Sequence, residues 1–332
     1  MTNLIAVVMF VGVLAYAVLA GADFGAGFWD LTAGGARRGR GPRHLIDETV
    51  GPVWEANHTW LIYCLVVLWT GFPRAFAAIT TTLFVPLGLA VLGIVTRGAG
   101  FAFRKVTVTT RYQRLFGVAF AVSSVVTPYC FGTIAGGIAS GRVPTAGNGN
   151  AVSSWNNPTS VLGGVLAVLV CAYLAAAYLT AAAPDPELRE YFRLRGLAVA
   201  AVTGAVSVGG IFVLHSDAPR LFHQLSHRGL GLLIVAALAG VAGVVLLLTQ
   251  ATRALRPVAA LAVAAVVCGW GVAQYPFLLG THLRLSDAVS PRPTLWVLVG
   301  VAIAAVALIL PSLVLLFTLY ARTSGARGRS QE

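Results

Sequence analysis

Nine apolar windows divide this chain, at residues 4–30, 50–71, 74–97, 112–139, 158–183, 192–214, 228–250, 256–280 and 294–321. As a helix rising about 1.5 Å per residue, each can cross a hydrocarbon layer of about 30 Å, some of them tilted. Backbone polar groups inside lipid must be satisfied within their own segment, so such windows fold as helices. With 58% of 332 residues hydrophobic and only 10% charged, the chain reads as an all-α integral membrane protein. An odd number of spans puts the two termini on opposite sides. The Pro-punctuated stretch "APDPELRE" (183–190) would separate two four-helix bundles, with one peripheral helix left over. The expected organisation is a first bundle over 1–140, an external loop and fifth span over 141–183, the rest of a second bundle over 184–280, and a last span with its tail over 281–332. The opening "MTNLIAVVMF" lacks a basic leader and its apolar run continues to about Leu19, so it reads as a retained first span.

The formal net charge of +12 could signal nucleic acid, but its distribution gives a topological reason instead. With the N-terminus outside, seventeen of the 23 Lys and Arg fall on inner segments. They include Arg37, Arg38, Arg40 and Arg43, the group from Arg97 to Arg114, and the tail arginines. Arg74, Arg142, Arg220, Arg228, Arg284 and Arg292 remain outside. Basic residues collect on the cytoplasmic side, so the N-terminus is expected outside and the C-terminus in the cytoplasm, with no nucleic-acid partner. Cys64, Cys130, Cys171 and Cys268 lie in or beside apolar runs without metal-ligand spacing, and read as small buried hydrophobes.

Ionisable residues inside spans are costly and call for a reason. Asp23 and Asp30 are seven residues apart in the first span, nearly on one helical face and about 10 Å apart along the axis. Asp30 would reach the cytoplasmic edge, with Asp23 two turns deeper. In the second window Asp47 and Glu48 stand at the entrance and Glu55 two turns further in, at a depth similar to that of Asp23. Arg97 is expected to end the third span on the same side. Two readings stay open: acids bonding helix ends or Arg97 to fix packing, and a polar pathway that handles protons. Burial and a nearby cation act in opposite senses on a carboxylate, which suits an acid that must take and release protons. Trp54 reads as an interfacial anchor, better than the deeper Trp60.

His58, four residues after Trp54, shares part of that face and could be a proton relay, a haem ligand or a core histidine. No second intramembrane histidine stands at a depth that would complete a bis-histidine haem site. His223 and His227, with Asp217 nearby, have spacing that could clip a metal, but a solvated loop is the plainer reading. A stand-alone proton-coupled transporter would also use intramembrane acids and helix bundles, though nearer the midplane.

Four stretches carry a family resemblance: "GADFGAGFWDL" (21–31), "IDETVGPVWEANHTWLI" (46–62), "TRGAGFAFR" (96–104) and, more weakly, "WGVAQYPFLL" (270–279). In order and spacing they resemble subunit II of the cytochrome bd-type quinol oxidases, cyanide-insensitive relatives included, over nearly the whole chain. The resemblance implies a bacterial cytoplasmic-membrane protein paired with a homologous subunit I. That partner would carry two b-type haems, one d-type haem and the quinol-oxidising loop. The complex would oxidise quinol, reduce dioxygen to water and draw protons from the cytoplasm. This chain would bring no haem ligands and no metal site, and would stabilise its partner. The resemblance leaves room for a structural quinone and for small single-span accessory subunits. By position, Asp23 matches the acid of a proton inlet, Glu55 an acid on the same path, and Arg97 a basic residue beside it. His58 and Asp30 would belong to that path, and Trp60 matches an aromatic beside a dioxygen route. Trp54, Asn57 and Gly25 would pack the motifs. Ala102 stands where some relatives have an acid, so the inlet would lack one carboxylate.

Overall fold

The computed structural model describes residues 1–35, 37–50, 54–107 and 110–329. The Gly-Pro-Val at 51–53 in the second motif lies outside them. So do the side chains of Lys105, Arg322, Arg327 and Arg329, which contribute to the charge asymmetry. Thirteen α-helices, one 3-10 turn (Thr252–Ala254) and one small hairpin are present among the described residues. They are α1 (Thr2–Thr32), α2 (Arg40–Val50), α3 (Trp54–Gly71), α4 (Pro73–Thr82), α5 (Phe84–Val106), α6 (Thr110–Ala139) and α7 (Pro158–Ala182). There follow α8 (Pro186–Asp217), α9 (Pro219–His227), α10 (Leu230–Leu248), α11 (Leu255–Gln274), strands β1 (Phe277–Leu279) and β2 (Leu283–Arg284), α12 (Leu285–Ala288) and α13 (Arg292–Arg329). Prolines mark the starts: Pro73, Pro158, Pro186 and Pro219 each stand in the first turn of their helix, where a missing N–H costs nothing. Asn157 caps α7, its side chain accepting from the Ser160 N–H at 3.0 Å.

Seven helices (α1, α5, α6, α7, α8, α10 and α11) are long and apolar enough to cross a membrane among the described residues. An eighth arises if α3 and α4 count as one span bent by 116°, and Arg292–Leu308 of α13 adds a shorter apolar helix. Three sequence expectations change. The window at 74–97 is not one helix: its first part is α4, which ends at Thr82, and the apolar helix starts afresh at Phe84. Arg97 does not end that span, because α5 runs on to Val106 and leaves Arg97 about 13 Å inside it. The helix passes through the charge because neighbouring helices satisfy it. Finally, Asp47 and Glu48 belong not to the helix that carries Glu55 but to the amphipathic α2, with Leu45 and Ile46 buried and His44 and Glu48 exposed.

Helices α1, α6 and α7 form the centre. Helix α5 packs on α6, α3 on α1, α8 on α7, and α10 on α11, while α13 lies against α3. Small residues set the closest approaches: a Cβ built on Gly132 would stand 2.2 Å from the Gly163 carbonyl oxygen, so α6 and α7 touch backbone to backbone. Cys130 and Cys171 are buried, whereas Cys64 and Cys268 are half-buried, and all four are free thiols.

At the end holding the α6–α7 connection, Arg142 grips both oxygens of Asp217, at 3.0 and 2.6 Å. Asp217 also accepts from the N–H and Oγ1 of Thr159, at 3.0 and 2.6 Å. One carboxylate thus ties the loop, the start of α7 and the end of α8. It is committed to these partners rather than to His223 and His227, whose rings lie 4.2 Å apart on α9. Asp217→Ala should remove about 2 kcal/mol or more by orphaning charge-assisted bonds. The expected result is a lower unfolding temperature of the purified membrane protein in detergent, and an unchanged one would refute this role.

Candidate functional site

A polar stripe runs down α1. Tyr16, Asp23 and Asp30 succeed one another at seven-residue intervals, which keeps them near one face. Helix α5 answers with Arg97 and Arg104, also seven apart, so acid and base meet at two levels.

The lower level lies at the α1 C-terminal end. Asp30 is 4% exposed and holds two cations: Arg43 donates from Nε to Oδ1 at 2.9 Å, and Arg104 donates from Nη1 to Oδ2. Arg104 also bonds Asp47 on α2, and Arg43 reaches the Gly34 carbonyl at 2.7 Å. Helix α2 is therefore clamped across the ends of α1 and α5 by ion pairs.

The upper level is drier. Asp23 is 4% exposed and Arg97 1%. Their side chains form no ion pair within 4.0 Å among the described residues. Instead Asn57 donates from Nδ2 to Oδ2 of Asp23 at 2.5 Å. Arg97 donates from Nη2 to the Asp23 backbone carbonyl at 3.1 Å and from Nε to Ser124 Oγ at 3.1 Å. Ser124 in turn donates to the Phe120 carbonyl at 2.6 Å. The guanidinium lies among the rings of Phe24, Phe120 and Trp54, at 5.0, 5.2 and 5.9 Å from their centroids. Phe120 also faces Arg104 at 5.3 Å, so this buried ring stands between the two levels.

The remaining sequence candidates separate clearly. Glu55 does not join Asp23. It lies two positions before Asn57, about 200° round the helix, and is exposed on the surface of this chain. His58 is enclosed by Tyr16, Phe24 and Trp54, with ring centroids at 6.0, 6.0 and 5.9 Å. Neither of its buried nitrogens has a hydrogen-bond partner among the described residues, and the same holds for Tyr16 Oη. A porphyrin could not share that setting without displacing the rings, which disfavours the haem-ligand alternative for His58. Trp54 forms a wall of the site: it packs on Phe101 at 5.7 Å and over Gly98. Trp60 is half-buried beside Tyr63, 6.2 Å between centroids. Gly25 lets α1 meet the α7 backbone, and Ala102 is exposed on α5. No group of three or more His, Cys, Asp or Glu that could hold a metal occurs among the described residues.

Arg104, Arg43, Ser124 and Phe120 were not singled out as site residues from sequence. Arg104 was detectable, since Arg97 and Arg104 repeat the interval of Asp23 and Asp30. Ser124 and Phe120 carried no local signal, being one serine and one phenylalanine of an apolar helix.

The family described as cytochrome bd terminal oxidase subunit II matches residues 1–320. The chain is similar to cytochrome bd-I ubiquinol oxidase subunit 2 of Escherichia coli (strain K12), 26% identical over 91% of this chain and 90% of that one. It is 28% identical to cytochrome bd ubiquinol oxidase subunit 2 of Bacillus subtilis (strain 168), over 49% of this chain. That match spans about half (47%) of the Bacillus protein. Its fold is similar to a chain in the structure of bd oxidase from Geobacillus thermodenitrificans, with a TM-score of 0.76, 23% identity, and coverage of 96% of this chain and 98% of the other.

Proposed function

Because the chain belongs to the cytochrome bd terminal oxidase subunit II family, we propose that it is the haem-free second subunit of a quinol oxidase and supplies part of its proton path. In this reading a haem-bearing subunit I oxidises quinol and reduces dioxygen to water. The present chain stabilises that partner and conducts protons from the cytoplasmic side. Its spans are arranged as two four-helix bundles with α13 peripheral, the N-terminus outside and the C-terminus inside.

The observation that carries the proposal is the pair of levels on α1. Asp30 sits at the mouth, among cations at the basic end of the bundle. Asp23 lies about 10 Å deeper, buried and held by a neutral amide. An acid kept at that depth has a use if protons pass through it. Glu55 supports the same reading from the other side of α3. It shares an outward face with Thr59, Ile62, Val66 and Trp69, the last three apolar and more than 40% exposed. A carboxylate on such a face suits contact with another protein better than contact with lipid. Glu55 would then pass protons across to subunit I. His58 would relay between the two acids, and Trp60, half-exposed on the same helix, would border the dioxygen route.

Nothing in the geometry or the relatives favours a stand-alone transporter. Purification of the tagged chain after co-expression with a subunit I tests the proposal. The expected product is a coloured complex of two different membrane subunits with a haem absorption spectrum. A colourless homo-oligomer would overturn it.

A further inference from the structure

We propose that Asn57 is a positioning residue for proton transfer through Asp23, holding one carboxylate oxygen by a bond that persists in both protonation states. This rests on the proton-path reading above and deepens it.

Two acids on one helix face are treated in opposite ways. At Asp30 both oxygens are taken by guanidinium groups, from Arg43 and Arg104. That arrangement builds a fixed ionic joint. At Asp23 the buried Arg97 forms no ion pair with the carboxylate among the described residues; its Nη2 donates to the Asp23 backbone carbonyl and its Nε to Ser124. The carboxylate receives the amide N–H of Asn57 on Oδ2, while Oδ1 accepts no hydrogen bond among the described residues.

The chemistry of the donor matters. An amide N–H donates to a carboxylate oxygen, more strongly, and also to the C=O oxygen of a neutral carboxylic acid. A guanidinium favours only the charged form. With Asn57 on Oδ2, Oδ1 can gain a proton from water arriving from the Asp30 side and lose it to the next acceptor. The side chain need not turn and the bond to Asn57 need not break. Asn57 is itself 7% exposed and lies on the α3 face opposite Glu55, so it approaches Asp23 from the helix that leads outward. Ser124, by accepting from Arg97 Nε, helps keep the cation on the backbone carbonyl and off the carboxylate.

The test uses the complete two-subunit complex, with turnover expressed per haem. Asn57→Leu removes the donor at similar volume, and should lower turnover about tenfold, the cost of one charge-assisted bond. KM for quinol should be unchanged and the solvent hydrogen–deuterium isotope effect larger. In infrared difference spectra, the carboxyl C=O band that disappears in Asp23→Asn should move to higher frequency in Asn57→Leu, since a hydrogen bond lowers that stretch. Asn57→Gln, which keeps an amide, should restore part of the turnover. In an Asp23→Asn background, Asn57→Leu should cost nothing further. If Asn57→Leu does not accumulate, Asn57→Ala removes the donor with a smaller side chain and carries the same expectations. A slow Asp23→Asn complex beside an Asn57→Leu complex with wild-type turnover, isotope effect and band would overturn this inference and leave the proton path standing. Wild-type turnover in Asp23→Asn would overturn both.

Discussion

Asp23→Asn is expected to assemble with its full haem complement and yet turn over at least about tenfold more slowly, a conservative share of the roughly 10²- to 10⁴-fold that a positioned proton-transfer group contributes. The substitution is nearly isosteric, and it removes a buried charge that no side-chain cation pairs directly. Packing should therefore survive: the Arg97 bond goes to the Asp23 backbone carbonyl, which an amide side chain leaves untouched. What disappears is the carboxyl proposed to bind and release the proton at that level. Measured as quinol-driven oxygen consumption per haem, with the absorption spectrum as control for assembly, the loss should appear across the neutral pH range. Membrane potential per electron should fall with it if protons then enter from the other side. Glu55→Gln should produce a smaller version of the same defect, because an exposed carboxylate at a protein–protein boundary can be bypassed by water. Unchanged turnover and coupling in both variants would remove the proton path and leave this chain a purely structural subunit.

How much of that site was legible in sequence depends on the kind of signal each residue left. Asp23 was legible because a charge inside an apolar window is an anomaly that needs no neighbour to be noticed, whereas Arg97 read as the end of a span and stood out by its matching depth. Their meeting was only half legible. Matching depth suggested a two-carboxylate pair of Asp23 with Glu55, but depth fixes one coordinate of a helix position and leaves the rotation open. The two-residue offset between Glu55 and Asn57 turns one outward and the other onto Asp23. Asn57, uncharged and inside a motif, read as packing. The break at Leu83 was hidden for a related reason. Hydropathy averages over α4 and α5 alike, and an interruption of the helix at one residue leaves the average untouched. The ionic clamp around Asp30 joins α1, α2 and α5, so no single window could display it. The apolar helices and the family motifs were plain, since both are properties of contiguous sequence.

Gly25→Val is expected to abolish accumulation of the complex, the largest structural effect of any substitution considered for this chain. A Cβ at position 25 would lie 1.8 Å from the carbonyl oxygen of Cys171, 2.3 Å from its carbonyl carbon and 2.8 Å from the Ala175 Cβ. The first two are backbone atoms inside α7, so no rotamer change can make room. Helices α1 and α7 would have to separate by more than an ångström, and the seam they form is tightly fixed. Trp29 Nε1 donates to the Ala172 carbonyl at 2.8 Å, Gly21 faces Leu174, and Ala172, Ala175 and Ala176 are buried. Gly21 and Gly25, four residues apart, form the small-residue face that permits this approach. Overpacking a core costs about 1–3 kcal/mol when side chains can yield, and more when backbone must move. Gly25→Ala should already lower the amount of haem-bearing complex in membranes. Whatever survives should turn over more slowly per haem, because Asp23 is only two residues away and moves with α1. Gly204→Ala and Gly209→Ala are the controls: a Cβ there meets nothing within 4 Å, and abundance should match the wild type. Normal accumulation of Gly25→Val would show that α1 and α7 do not meet in this way, and the placement of Asp23 against Asn57 and Arg97 would fall with that contact.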